Sequence, residues 1–358
     1  MSWAAERARF PVFDRFAYLN AGTFGPLARA TLDAAAEEDR RAGEEGRGGT
    51  PYFERMRETR DRVRIALAAE IGVEPAALAL TTSTTEGCST VVRGLDLRPD
   101  DQVVTTDVEH FGLIGPLVAS GARIRVARIR DRPPAEAFDA IRAEVTPRTR
   151  LLALSHVVWI TGHRLPAAEL RDATGLPVLV DGAQSAGAIP VDANAFDYFT
   201  VSAQKWLCGP DLTGALYVRD PDALGLALPS YLSQRDYDLA AATFAPREGA
   251  DRFDTHFTPL AATAGLLAAF DLHPEWGHER AAETAARCRE LIADGFDVVT
   301  EPRHSTLVSF RVDEPEETVS RLAERRVVVR DLPGTGLVRV SCGWWTSDDD
   351  LDRLVAAL

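Results

Sequence analysis

Apolar positions along the chain recur with two different periods. "PLARATLDAAAEEDRRAGEEG" (26–46) and "FERMRETRDRVRIALAAEIG" (53–72) have helical spacing, the first opened by Pro26 and the second closed by a glycine. From residue 77 short strand-type runs follow: "ALALTT", "DQVVTTD", "RIRVARI", "RLLALSHV", "PVLVDGA", "YFTVSA" and "GALYV". Helical segments such as "TEGCSTVVRGL", "PAEAFDAIRAEV" and "PAAELRDATG" separate most of them. Near-continuous apolar strands between helices predict an α/β fold with a mostly parallel sheet covered on both faces.

The pattern changes near residue 270, where a long helix, "HERAAETAARCRELIADG", leads into a β/α mixture ending in "SDDDLDRLVAAL". This predicts a large domain over 16–268 and a smaller α/β domain over 269–358, with 1–15 packed on the latter. Neither G-x-G-x-x-G nor G-x-x-x-x-G-K-[ST] occurs, which disfavours dinucleotide and P-loop chemistry. With 358 residues, 46% hydrophobic, the chain can bury a large core. A net charge of -14 opposes binding to a phosphate backbone. The opening "MSWAAERARF" lacks a following signal-type core and no window is long and apolar enough to span a bilayer, so a soluble, cytoplasmic protein without a membrane partner is expected. Cys88, Cys208, Cys288 and Cys342 are far apart, without metal-ligand or disulfide spacing, and read as reduced packing thiols.

The chemistry centres on "FDYFTVSAQKWLCGPDLTGALYV" (196–218), where Lys205 stands among aromatic and aliphatic neighbours. Desolvation there disfavours the ammonium and lowers its pKa, the usual route to a nucleophilic lysine. Lys205 is the chain's only lysine, although a bias toward Arg and Ala makes that scarcity a weak signal. Asp181 closes the strand in "PVLVDGAQ", 24 residues before Lys205, at a strand end where ligands bind in open α/β sheets. Asp181-Gly182 also reads as a plain turn. A strand-end carboxylate followed by an enclosed lysine at the next strand end suits pyridoxal phosphate, the lysine joining the aldehyde and the acid holding the ring nitrogen protonated.

These motifs resemble the class V aminotransferase, or cysteine desulfurase-like, group of fold type I pyridoxal-phosphate enzymes, from "YLNAGTFGP" to "VRVSCGWWTSDDDLDRL". The resemblance implies a seven-stranded, mostly parallel sheet sandwiched by helices. It makes Lys205 the cofactor lysine, Asp181 the partner of the ring nitrogen, and Gln184 a donor to the phenolic oxygen. Thr84, Thr85, Ser202 and Gln204 become phosphate contacts, and His110 the ring that stacks on the cofactor; the "TTSTTEG" run otherwise reads as a helix N-cap and His110 as a satisfied turn residue. Arg339 corresponds to the arginine that grips the substrate carboxylate, although an arginine on any surface strand would look alike. Thr258 matches a phosphate contact donated across a homodimer interface, and Asn20 and Trp159 fall beside the substrate.

"SHVVWITG" around Trp159 is similar to cysteine and cystine C-S lyases of this group, whereas desulfurases carry Asn there. The mobile cysteine of a desulfurase would lie in "VVVRDLPGTGLVRVS", which has none. The expected activity is therefore α,β-elimination of cysteine, cystine or an S-substituted cysteine. An aminotransferase or epimerase is the alternative, since cofactor contacts fix a carbanion but not its fate.

Overall fold

The computed structural model describes residues 2–358. In chain order it forms helix α1 (Trp3–Arg7), strand β1 (Ala17–Tyr18), α2 (Arg29–Glu45), α3 (Thr50–Glu70), β2 (Leu78–Thr81), α4 (Thr84–Gly94), β3 (Gln102–Thr106), α5 (Phe111–Ala119) and β4 (Arg123–Ala127). There follow α6 (Ala137–Ala143), β5 (Thr149–Ser155), α7 (Ala167–Thr174), β6 (Val178–Asp181), β7 (Tyr198–Ser202), β8 (Gly214–Val218), β9 (Gln234–Asp238), β10 (Thr243–Pro246) and α8 (Leu260–Phe270). The chain closes with α9 (Gly277–Ala293), β11 (Leu307–Arg311), α10 (Pro315–Glu324), β12 (Val327–Val328), β13 (Arg330–Leu332), β14 (Leu337–Ser341) and α11 (Asp348–Ala357).

The central sheet has seven strands in the order β2-β8-β7-β6-β5-β3-β4, with β8 alone running against its neighbours. All seven are the runs expected from the sequence. Alternate residues of the unbroken apolar strands serve opposite faces: Leu152, Leu154, Val180 and Val201 pack with α3, α6 and α7, while Leu151, Ala153, Leu179 and Leu216 pack with Cys88 and Val91 of α4 and Leu113 and Leu117 of α5. The chain order doubles back between β3 and β5, and the carboxyl ends of β2, β3, β5, β6 and β7 share one rim, the place where such sheets bind ligands.

A second core is built on the antiparallel sheet β11-β14-β13 with α9, α10 and α11. β1 adds to it by pairing in parallel with β12, so Ala17 and Leu19 belong to that core although they precede the large sheet in sequence. The first residues lie against the same body: Trp3 Nε1 donates to Trp344 O (2.8 Å) and Arg7 pairs with Asp350 (2.7 Å).

Five hydrogen bonds join the loop after β5 to this body. Arg339 Nη1 donates to Trp159 O (2.8 Å), Ser309 Oγ to Ile160 O (2.6 Å) and Thr300 Oγ1 to Thr161 O (2.7 Å). The other two are reciprocal, Glu301 N donating to His163 Nε2 (3.4 Å) and Arg164 N to His304 Nδ1 (3.1 Å). Among the described residues no helix is long and apolar enough to cross a membrane.

Candidate active site

Lys205 lies in the turn after β7, held by backbone alone. Gly25 N donates to Gln204 O (2.8 Å), Cys208 N to Lys205 O (3.1 Å) and Gly209 N to Ala203 O (2.9 Å). The loop Asn20–Gly25 crosses directly over this turn: a Cβ on Gly25 would fall 1.8 Å from Lys205 O, so only glycine allows the approach. No described residue hydrogen-bonds Lys205 Nζ. Burial draws its pKa down to about 8; Asp181 opposes that shift, and Arg339 and Arg330 add to it.

Asp181, at the end of β6, is buried, beside Ser155 of β5 and Thr200 of β7 in the sheet register. Its Oδ1 accepts from Ala183 N (2.9 Å), which fixes the carboxylate and leaves its other oxygen to a ligand. Gln184 is anchored at both ends of its amide: Nε2 donates to Gly22 O (2.8 Å) and Oε1 accepts from Trp206 Nε1 (3.0 Å). One amide proton remains for anything else.

Thr84 and Thr85 form the first turn of α4, whose N-cap Ser83 accepts from Glu86 N (3.2 Å). The unpaired N–H groups there, with the helix dipole, favour an anion. A Cβ on Gly112 would lie 2.8 Å from Thr85 Oγ1 and 3.3 Å from His110 Nδ1, so this turn and the His110 turn abut. His110 caps α5, its Nδ1 accepting from Gly112 N (3.1 Å), which places the proton of the neutral ring on Nε2. Its pKa is lowered, first by burial and next by Lys205. Trp159 stands edge-on to it, the ring centroids 5.4 Å apart, and Trp159 Nε1 has no partner among the described residues.

Ser202 and Thr258, two more of the expected phosphate contacts, are both buried. Ser202 Oγ directs its proton to Gln204 Oε1 (2.9 Å), so the free donor of the pair is the Gln204 amide nitrogen. Thr258 is buried in a loop tied to α4 through His256 Nδ1 and Glu86 Oε1 (3.0 Å), and it hydrogen-bonds none of the other candidates. Asn20 lies at the site through its neighbours: Oδ1 accepts from Thr23 Oγ1 (2.8 Å), and its backbone bridges to Ser341.

Arg339, in the centre of β14, is 1% exposed. Besides its bond to Trp159 O, Nη2 reaches Thr23 Oγ1 (3.4 Å), while Nε is unpartnered. Arg330 Nη1 donates to the same hydroxyl (3.1 Å). Neither guanidinium forms an ion pair with a carboxylate among the described residues, and burial together with Arg330 draws the Arg339 pKa down to about 9. Two buried or half-buried cations are thus left with positive charge that no carboxylate of the protein offsets. Arg330 and Thr23 escaped the sequence reading; the nine-residue spacing to Arg339 carries no periodicity, and only the pairing of β13 with β14 sets the two arginines side by side.

Glu109 was also missed as a group with its own chemistry. Its carboxylate accepts from Thr106 Oγ1 (2.7 Å) and Ser155 N (2.9 Å), and burial pushes its pKa up to about 7. All four cysteines are free and buried.

The donor set fits pyridoxal phosphate: an unbonded amine beside a fixed carboxylate, with a helix N-terminus on the same rim. Residues 18–354 match the family model for class V aminotransferases. The isopenicillin N epimerase of Streptomyces clavuligerus is 28% identical over 99% of this chain and 97% of its own length. A probable cysteine desulfurase of Pseudomonas aeruginosa is 29% identical over 98% and 96%. The solved cystine C-S lyase C-DES, in complex with its product cysteine persulfide, superposes with a TM-score of 0.88 at 28% identity over 97% of this chain and 98% of that one. The desulfurase CsdA of Escherichia coli shares the fold with a TM-score of 0.85 at 22% identity. This chain belongs to the class V aminotransferase family.

Proposed function

We propose that the protein is a pyridoxal-phosphate-dependent carbon–sulfur lyase that eliminates the sulfur substituent from cysteine, cystine or an S-substituted cysteine. The observation that carries this reading is the unbonded amine of Lys205, drawn down to about 8, within electrostatic reach of Asp181 and of two guanidinium groups that lack a protein anion. The bound cofactor supplies an aldehyde for an amine to join and a ring that withdraws electrons from the substrate Cα.

The first turn of α4 and the Gln204 amide would hold the phosphate, Asp181 the proton on the ring nitrogen, and His110 one face of the ring. Near neutral pH a fraction of Lys205 is uncharged, so this nitrogen would hold the cofactor's aldehyde and, when free of it, would serve as general base toward the substrate Cα proton. Arg339 and Arg330 would take the substrate carboxylate and Trp159 would wall the side-chain pocket. The Cβ–S bond then breaks with its electron pair on sulfur, sulfur takes up a proton, and the three-carbon remainder hydrolyses to pyruvate and ammonia.

The likeness to C-DES supports elimination. So does the burial of all four cysteines, which leaves no accessible thiol to attack a substrate sulfur as a desulfurase must. A screen of cystine and S-substituted cysteines against the cofactor-loaded protein should yield pyruvate; absence of pyruvate from all of them would sink the reading. Epimerisation is the second reading, favoured by epimerase relatives that align with nearly the whole chain. It predicts inversion at Cα without pyruvate. The reading includes a homodimer with its active site at the interface, which the exposed rings of Phe24, Phe111 and Phe257, flanking three site loops, support. Sedimentation should give twice the chain mass.

A further inference from the structure

Thr23 occupies an unusual junction. Its hydroxyl donates to Asn20 Oδ1 (2.8 Å), and its oxygen accepts from Arg330 Nη1 (3.1 Å) and Arg339 Nη2 (3.4 Å). One O–H and two lone pairs are thereby all committed. Asn20 in turn is fixed by its own backbone, whose carbonyl accepts from Thr23 N (2.9 Å) and Phe24 N (3.2 Å), and by its bridge to Ser341. The neighbouring residue must be small: a Cβ on Gly22 would lie 2.9 Å from both Arg339 Nη2 and Ser341 Oγ.

We propose that Thr23 is a positioning residue for substrate recognition: oriented by Asn20, its single oxygen holds two mutually repelling guanidinium groups in convergence on one carboxylate. This rests on the assignment of Arg339 and Arg330 as carboxylate ligands. Like charges separate when nothing restrains them. An oxygen that accepts from both arginines offsets that repulsion. Asn20 ensures that the hydroxyl proton points away from the cations, because a hydroxyl free to rotate would spend part of its time aiming a proton at one of them. In this arrangement Asn20 acts through Thr23 rather than by touching substrate.

The test uses the cofactor-loaded holoprotein and two amine probes read by visible absorbance: glycine, which has a carboxylate, and methylamine, which has none. Thr23→Val keeps the shape and removes the oxygen. It should weaken glycine about tenfold or more, the effect of one lost charge-assisted contact, and leave methylamine unchanged. Thr23→Ser should restore glycine binding, and Asn20→Ala should fall between wild type and Thr23→Val. With a turnover substrate the loss should appear in KM rather than kcat. Equal glycine affinity in wild type and Thr23→Val would overturn the proposal, as would an equal loss of both probes. Glycine leaving the wild-type spectrum unchanged would instead defeat the carboxylate-receptor reading on which the proposal stands. Melting curves that show all variants folded keep a structural failure from imitating the predicted loss.

Discussion

Lys205 is held by main-chain hydrogen bonds on both sides, so its amine points from a fixed base while carrying no bond of its own. An amine reagent should therefore modify it in the cofactor-free protein with a pH midpoint near 8 rather than at the 10.5 of an ordinary lysine. Because Asp181 raises that pKa, Asp181→Asn should move the midpoint lower still. Peptide mapping makes the measurement direct, since the chain has no other lysine. A midpoint near 10.5 would mean the amine is solvated. Lys205 and Asp181 could be read in the sequence because each is marked by its immediate neighbours: an apolar wall around the lysine and a strand end before the acid. Thr23 and Arg330 have no such mark, for they meet only when segments 307 residues apart in the chain are brought together.

At the scale of elements, the seven strands of the large sheet were legible because each is an unbroken apolar run, and the expected helices between them also form. Helix α5 was not, for Gly112, Gly115 and Pro116 place three helix-breaking residues among its nine, yet its apolar side buries Leu113 and Leu117 and tertiary packing overrides propensity. The β9–β10 hairpin was opaque for the opposite reason: β9 is polar, β10 is only four residues long, and both are mostly exposed, with no buried face to pattern. The Asn20–Gly25 loop shows what one element requires of another. Gly25→Ala must displace either this loop or the Lys205 turn, and an overpacked contact of this kind costs about 1–3 kcal/mol. The variant should melt lower and bind cofactor more weakly, both in one scan; an unchanged melting curve would show that the two loops can separate freely.

Taken whole, the molecule assembles its chemistry from two cores, with the amine and acid on the large sheet and the guanidinium groups on the smaller one. The reciprocal histidine bonds lie along the seam between them, where His163 meets His304, Glu301 and Arg164, with Arg130 and Arg132 lining the same cleft. Burial, then His304, lowers the His163 pKa from 6.5 to about 4, and burial lowers that of His304 as well. A histidine depressed in the folded state binds fewer protons than in the unfolded chain, so stability is full above pH 6.5 and declines as pH falls toward 4. His156 and His273, also drawn down to about 4, act in the same direction, while Glu70 and Glu109, raised by burial to about 7, oppose them over the same window and are outnumbered by the histidines. Denaturant midpoints should fall across that window, and His163→Gln with His304→Gln, which keep neutral acceptors, should make the fall shallower. An identical slope in the double variant would assign the acid sensitivity to the two deeper histidines.

The four secluded sulfurs have a kinetic consequence. Cys88 lies within the large core, whereas Cys288 and Cys342 share the small one, and none can be alkylated until the structure around it opens. Under native conditions the alkylation rates at these positions thus act as separate clocks for the two bodies. Matching rates would mean that they come apart in one cooperative event, and a faster pair at 288 and 342 would mean that the half carrying Arg330 and Arg339 lets go first.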